Sequence, residues 1–230
     1  MKKNLLKYSL EFLVIVLGIS VSFWLNEYKN SLDSDTKEIQ VYHNLLISLN
    51  ASEDRIEERK AVFKFDVDIL DNLFDLSDFN SYNYKDLLIA TTDWRGFAIN
   101  KEMYSLLKED GSIGHIKSVD LKIAIQQFYK FGDGAIRGNL EDDKIIQREV
   151  LKYLNFNYPE LVLNSNKVSN SDSEIKLFKK KLKNDLTLRS LLQSKQRFMR
   201  NKYKGLLIYG NLFQQLRLSL REQLNLNSFD

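Results

Sequence analysis

From Tyr8 to Leu25 the chain reads YSLEFLVIVLGISVSFWL, eighteen residues in which Glu11 is the single charge. Leu5 and Leu6 lengthen this stretch on its N-terminal side. A bilayer core takes about 20 mostly apolar residues at about 1.5 Å each. Lipid offers no partner for backbone N–H and C=O groups, so such a segment has to be helical there. Trp24 and Tyr28 at one end and Tyr8 at the other stand where interfacial aromatics belong. A basic start before an apolar run also fits a cleaved signal peptide, with Ser20 and Ser22 as the small residues of a cleavage site. Phe23, Trp24 and Leu25 carry the run past those serines, which favours an anchor. The expectation is one transmembrane helix over residues 8–28, after a cytoplasmic N-terminus over residues 1–7.

Orientation follows from the flanks. Lys2, Lys3 and Lys7 precede the span, whereas Lys29 and Lys37 follow it among Glu27, Asp33, Asp35 and Glu38. The positive-inside rule then leaves residues 29–230 as an extracytoplasmic domain on the cell inner (cytoplasmic) membrane. Glu11 lies within a turn of the cytoplasmic edge, where its carboxylate can reach the interface. Glu11, Gly18 and Ser22 also share one helical face, and Gly18 with Ser22 is a small-xxx-small pair that lets another helix approach. These three residues are the expected helix-association face.

Downstream, Ile39, Tyr42, Leu46, Leu49, Ile56, Phe63, Val67, Leu70 and Phe74 recur at steps of three and four, interrupted by Glu53 and Lys60. Leu188, Leu192, Met199, Leu206, Tyr209, Phe213, Leu216 and Leu220 repeat the rhythm, interrupted by Lys195 and Lys202. Such seams belong to helices packed on helices. One proline and nine glycines leave few breakers, and no alternating strand pattern occurs. The predicted fold class is therefore all-α: two long antiparallel helices, over about 35–76 and 185–224, framing an insert of shorter helices over 77–184. Asp35 with Glu38 resembles a capping box and predicts a fresh helix start there.

Within the insert a short helix is expected near Lys85–Ala90, and another from about Asn100 to a cap at Gly111. Ser118 should cap a third, and GDG at 132–134 should break or kink it. A further helix should stop before Pro159, and residues 164–173 should form a polar loop. Aligning Leu32 with Leu224 would bring Glu53 near Lys202 and Lys60 near Lys195, gathering Glu53, Lys60, Lys195 and Lys202 into a polar layer.

Chemistry is sparse. The absence of cysteine removes disulfides and thiolate ligands, and His43 and His115 fall in separate segments with no HExxH or EF-hand spacing. GDGAIRG at 132–138 lacks the Gly-Lys-Ser/Thr ending of a phosphate loop. Glu141, Asp142 and Asp143 read as acidic residues of a first helical turn, with a weak cation site beside Asp133 as the alternative. Lys179, Lys180, Lys181 and Lys183 form the densest basic run; a solvated helix face is the ordinary reading of such a run, and outside the cytoplasm anionic lipid headgroups or envelope polymers are the partners it would suit. Trp94-Arg95-Gly96-Phe97 reads as a loop packed on the bundle or lining a pocket. No catalytic residues, cofactor or metal are predicted, and a net charge of +3 gives no reason to expect nucleic acid.

The run Glu11 to Ile19, the WLNE that follows, the long seam, and MYSLLKEDGSIGHIKSVDLKIAIQQFY at 103–129 together resemble an uncharacterised bacterial family of small proteins. Its members carry one N-terminal transmembrane helix and a helical extracytoplasmic domain; the resemblance implies topology and no activity. The functional expectation is a non-enzymatic, membrane-anchored interaction or scaffold protein of the cell envelope. Its partners would be the lipid bilayer and a protein partner or a second copy. The alternatives are an extracytoplasmic ligand sensor signalling through a partner, since seven residues leave no room for an output domain, and an oligomeric membrane-active effector.

Overall fold

The computed structural model describes the backbone of residues 2–75, 82–163 and 171–226, and side chains from residue 12 onward within those limits, Ser171 and Leu226 excepted. The described residues are all helical or connecting turn, with no strand among them. Helix α1 spans Lys2–Leu73 and α8 spans Leu186–Leu226. Between them lie α2 (Tyr84–Thr92), α3 (Glu102–Glu109), α4 (Val119–Gln126), α5 (Asp133–Asn157), α6 (Pro159–Leu163) and α7 (Ser171–Asn184). The all-α bundle with two long helices framing shorter ones is therefore the observed architecture.

Four boundaries differ from the sequence expectation. Helix α1 does not restart at Asp35. Glu38 is instead a buried side chain whose Oε1 accepts the Tyr42 hydroxyl at 2.6 Å and the Lys117 backbone N–H, while Asp35 pairs with the Lys117 ammonium. These two carboxylates tie α1 to the turn before α4, so the capping-box pattern marks a tertiary contact. Nor does GDG break the chain. A π-helical turn over Gln127–Gly132 joins α4 to α5, and the helix continues through Gly134 and Gly138. Glu141, Asp142 and Asp143 accordingly lie in the interior of α5. Residues 171–173 open α7, so the expected polar loop is shorter than 164–173; its residues 164–170, like Asn80, lie outside the described set.

Other boundaries follow local chemistry. Asn83 and Asp86 form a reciprocal capping box at α2. Gly111 has φ 77°, a left-handed conformation in the turn after α3 that a side chain would strain. The Ser118 hydroxyl accepts the Leu121 N–H at 3.2 Å to cap α4.

The long helices run antiparallel, in a register other than the one the seams suggested. Gly210 faces Ile56 and Lys60, Glu53 meets Gln214 and Arg217, and Asp71 meets Gln196 and Arg200. Aligning Leu32 with Leu224 would have set Ile56 opposite Arg200; the observed slip is thus about ten residues, or about 15 Å. Ile56 and Met199 lie on packed helices but in different cores. In this register, as in the expected one, α1 projects beyond the end of α8, and every large apolar side chain from Phe12 to Leu25 is exposed.

Two apolar cores result. One gathers Val41 to Phe63 of α1 with α3, α4, the start of α5, and Leu206 to Leu220 of α8. The other gathers Val67 to Leu73 with α2, the end of α5, α6, α7, and Leu188 to Met199. Helices α5 and α8 approach closely: a Cβ on Gly205 would press on the Ala135 backbone carbonyl. Because that obstacle is backbone, Gly205→Ala should cost about 1–3 kcal/mol, against the stabilisation alanine normally brings inside a helix. Urea denaturation checks this; a stabilised variant would contradict the close approach.

Candidate functional site

Asp66, Asp143, Lys195 and Lys202 all occupy positions in the helical seams where an apolar residue would be expected. Asp66 lies between Phe63 and Val67, Asp143 between Leu140 and Ile146, and the lysines flank Met199. The fold brings all four to one level, between the two cores. Lys195 Nζ lies 2.7 Å from Asp143 Oδ1 and Lys202 Nζ 2.6 Å from Asp143 Oδ2, all three side chains being buried. The ammonium groups also donate to the loop after α2, Lys195 to the Asp93 carbonyl and Lys202 to the Arg95 carbonyl, both at 3.3 Å. Lys202 further stands over the Phe63 ring at 4.4 Å. An ammonium ion has three donors and no acceptor, and this loop supplies carbonyls that would otherwise be unpaired.

Arg95 Nη1 approaches Asp66 Oδ1 at 3.2 Å, close enough for an ion pair but without hydrogen-bond alignment. Burial pushes the Asp66 carboxyl up to about 6, with Arg95, Lys202 and Lys195 opposing the shift. Burial likewise brings Lys202 down to about 8 against the attraction of Asp143. The ordinary value for an aspartate carboxyl is 3.8, so the folded chain holds a proton between about pH 4 and 6 that the unfolded chain has released. Stability therefore falls as pH rises through that window and stays reduced above it, by roughly 3 kcal/mol. Asp66→Asn should flatten the decline and raise Tm more at about pH 7.5 than at about pH 4. Thermal melts at the two pH values check it; equal shifts would contradict it.

The loop between α2 and α3 also borders a cleft of ≈ 310 Å³. Trp94, Phe97 and Ile99 line one wall, and Asp133, Ile136, Arg137 and Glu141 of α5 line the other. Trp94 donates its indole N–H to the Leu140 carbonyl at 3.2 Å, and Lys144 stands over its ring at 5.1 Å. Asp133 takes ion pairs from both Lys101 and Arg137 at 2.8 Å. The Trp94–Phe97 segment thus packs on the bundle and lines a cleft as well.

No protein family, curated protein or solved structure matches this chain.

The polar layer is not the one the sequence spacing suggested. Lys195 and Lys202 meet, but on Asp143. Glu53 lies elsewhere on the α1–α8 seam, where hydrogen bonds from Gln214 and Arg217 hold its carboxyl below the usual range. Lys60 lays its stem over Gly210, where no side chain blocks it, and reaches Glu57 at 2.7 Å. Both interruptions are accommodated at the surface of the seam and bury no charge.

On the projecting part of α1, the Ser22 hydroxyl donates to the Gly18 carbonyl at 2.8 Å, and among the described residues nothing lies within 4 Å of where a Cβ on Gly18 would stand. The backbone of Glu11 is helical, but its side chain lies outside the described set, so the face it was expected to share with Gly18 and Ser22 is drawn only in part. Trp24 stacks on Tyr28 at 6.0 Å. His43 is exposed and His115 half-buried in a 3₁₀ turn. Among the described residues no three carboxylates or histidines converge as metal ligands, and Asp133 and Asp143 are both occupied by cations.

Proposed function

We propose that the chain is a membrane-anchored helical interaction or scaffold protein of a bacterial cell envelope. The residues before Lys7 would be cytoplasmic and the bundle extracytoplasmic. The observation that carries this reading is the unbroken α1. One helix supplies an exposed segment long and apolar enough to cross a bilayer, and then the wall of both cores. A protein that only needed tethering could use a loose linker; here the bundle continues the span directly, so its position above the membrane is set by helix geometry. The positive flank before the apolar run supports the orientation. Gly18 and Ser22 leave room for a second helix within the bilayer, and that helix would come from a protein partner or another copy of this chain.

Fusions at the C-terminus test the topology. A reporter active only outside the cytoplasm is expected, and one active only inside would overturn the orientation. The cleft beside Trp94 favours a second reading, a ligand sensor. There a small amphipathic molecule would bear on the loop that Lys195 and Lys202 hold, and through Asp66 on α1 itself.

A further inference from the structure

The end of the bundle farthest from the projecting part of α1 combines rigidity with exposed apolar side chains. The Tyr153 and Tyr158 hydroxyls both donate to Asp185 Oδ2, at 2.8 and 2.7 Å. Asp185 Oδ1 accepts the N–H groups of Thr187 and Leu188, which caps α8. Lys181 stands over the Tyr158 ring at 4.6 Å. On this fixed frame Phe156 is 79% exposed, Leu163 77% and Leu186 80%. Helix α7 lies alongside: Ile175, Phe178 and Leu182 are buried on one face, and Lys176, Lys180 and Lys183 are exposed at the helical spacing of the other. Seven cations stand against four carboxylates over residues 152–163 and 172–189, an excess of three that equals the net charge of the whole chain.

We infer that this tip docks on a second, anionic bilayer, an inference that rests on the anchored reading above. Three separate exposed side chains do not make the contiguous apolar centre of the roughly 800 Å² per partner that a stable protein interface buries. Separate apolar tips beside a lysine face instead suit insertion at the headgroup boundary, where an apolar signal and a basic one act together. Geometry selects the second bilayer. From Tyr28 to Leu73 the continuous helix rises about 70 Å, and Leu186 lies farther out still, since Asp71 already faces Gln196. The tip therefore points away from the membrane that holds the anchor.

The full chain, reconstituted in neutral phosphatidylcholine vesicles, is mixed with dye-labelled acceptor vesicles of equal parts phosphatidylglycerol and phosphatidylcholine. Capture of the anionic acceptors is expected, weakening with salt. It should fall at least about tenfold in Lys176→Glu/Lys180→Glu/Lys183→Glu and in Phe156→Ser/Leu186→Ser, whose side chains are exposed and leave the cores intact. Equal capture of neutral acceptors, or capture undiminished in both variants, overturns the inference. So does tighter binding to soluble polyglutamate than to the acceptors, which would identify an acidic protein as the occupant. Incorporated chain that captures nothing overturns the tip alone; failure to enter the donor vesicles overturns the anchor, and this inference with it.

Discussion

Asp143→Ala should destabilise the bundle by about 3–5 kcal/mol, as much as emptying a large core side chain. It leaves two buried ammonium groups without their shared carboxylate, each 2.6–2.7 Å from where an oxygen had been. For a chain of this size that corresponds to a fall in Tm of roughly 10 °C. The loss comes from the stranded charges more than from the worth of the pairs, because burying three ions was costly to begin with. Asp143→Leu combined with Lys195→Met and Lys202→Met should therefore recover much of the stability. Recovery would not extend to the loop: the Asp93 and Arg95 carbonyls lose their donors, and amide hydrogen exchange over residues 93–97 should stay faster than in the parent. A single variant as stable as the parent would contradict the buried triad.

The second large effect concerns the projecting helix. Val14 and Leu17 are exposed and touch nothing in the bundle, so arginine at both positions should leave the fold unchanged. In a bilayer each arginine near the helix centre costs about 2.5–3.5 kcal/mol, or some hundredfold in partition. The double variant should move from the membrane pellet to the alkaline wash while keeping the parent's circular dichroism. Retention in the pellet would mean that something other than this helix holds the chain to the membrane.

Helix content, helix faces and most caps were legible because each is a local matter. The three–four rhythm, Ser118, Gly111 and Pro159 act within a turn or two of themselves. Register was not legible, because two seams of the same period pack equally well at many offsets, and no local signal separates them. What selects the observed offset is particular: Gly210 admits the stem of Lys60, Arg217 and Gln214 reach Glu53, and Arg200 and Gln196 reach Asp71. The polar layer failed in the same way. Lys195 and Lys202 stood out as interruptions, and their partner did too, since Asp143 sits on the spacing Ile136, Leu140, Ile146, Val150 and Leu154. Glu141–Asp143 look like a first helical turn only if GDG breaks the chain, and here a π-helical turn carries the helix through those glycines. Asp35 and Glu38 misled for a related reason: the same two carboxylates that would cap a new helix here anchor an existing one to Lys117.

A single spin label walked from Phe12 to Asn50 in the reconstituted chain, read for collision with oxygen and with a water-soluble nickel complex, tests the continuity of span and bundle. Residues 12–25 should be closed to nickel all round the helix and open to oxygen, except where a second helix covers the Gly18 and Ser22 face. Access to nickel should appear after Tyr28, and from Glu38 both should fall to a helical period as Val41, Tyr42, Leu45 and Leu49 enter the core. Nickel access throughout residues 12–25, or a loss of helical period between Tyr28 and Glu38, would contradict a single helix that spans the membrane and builds the bundle.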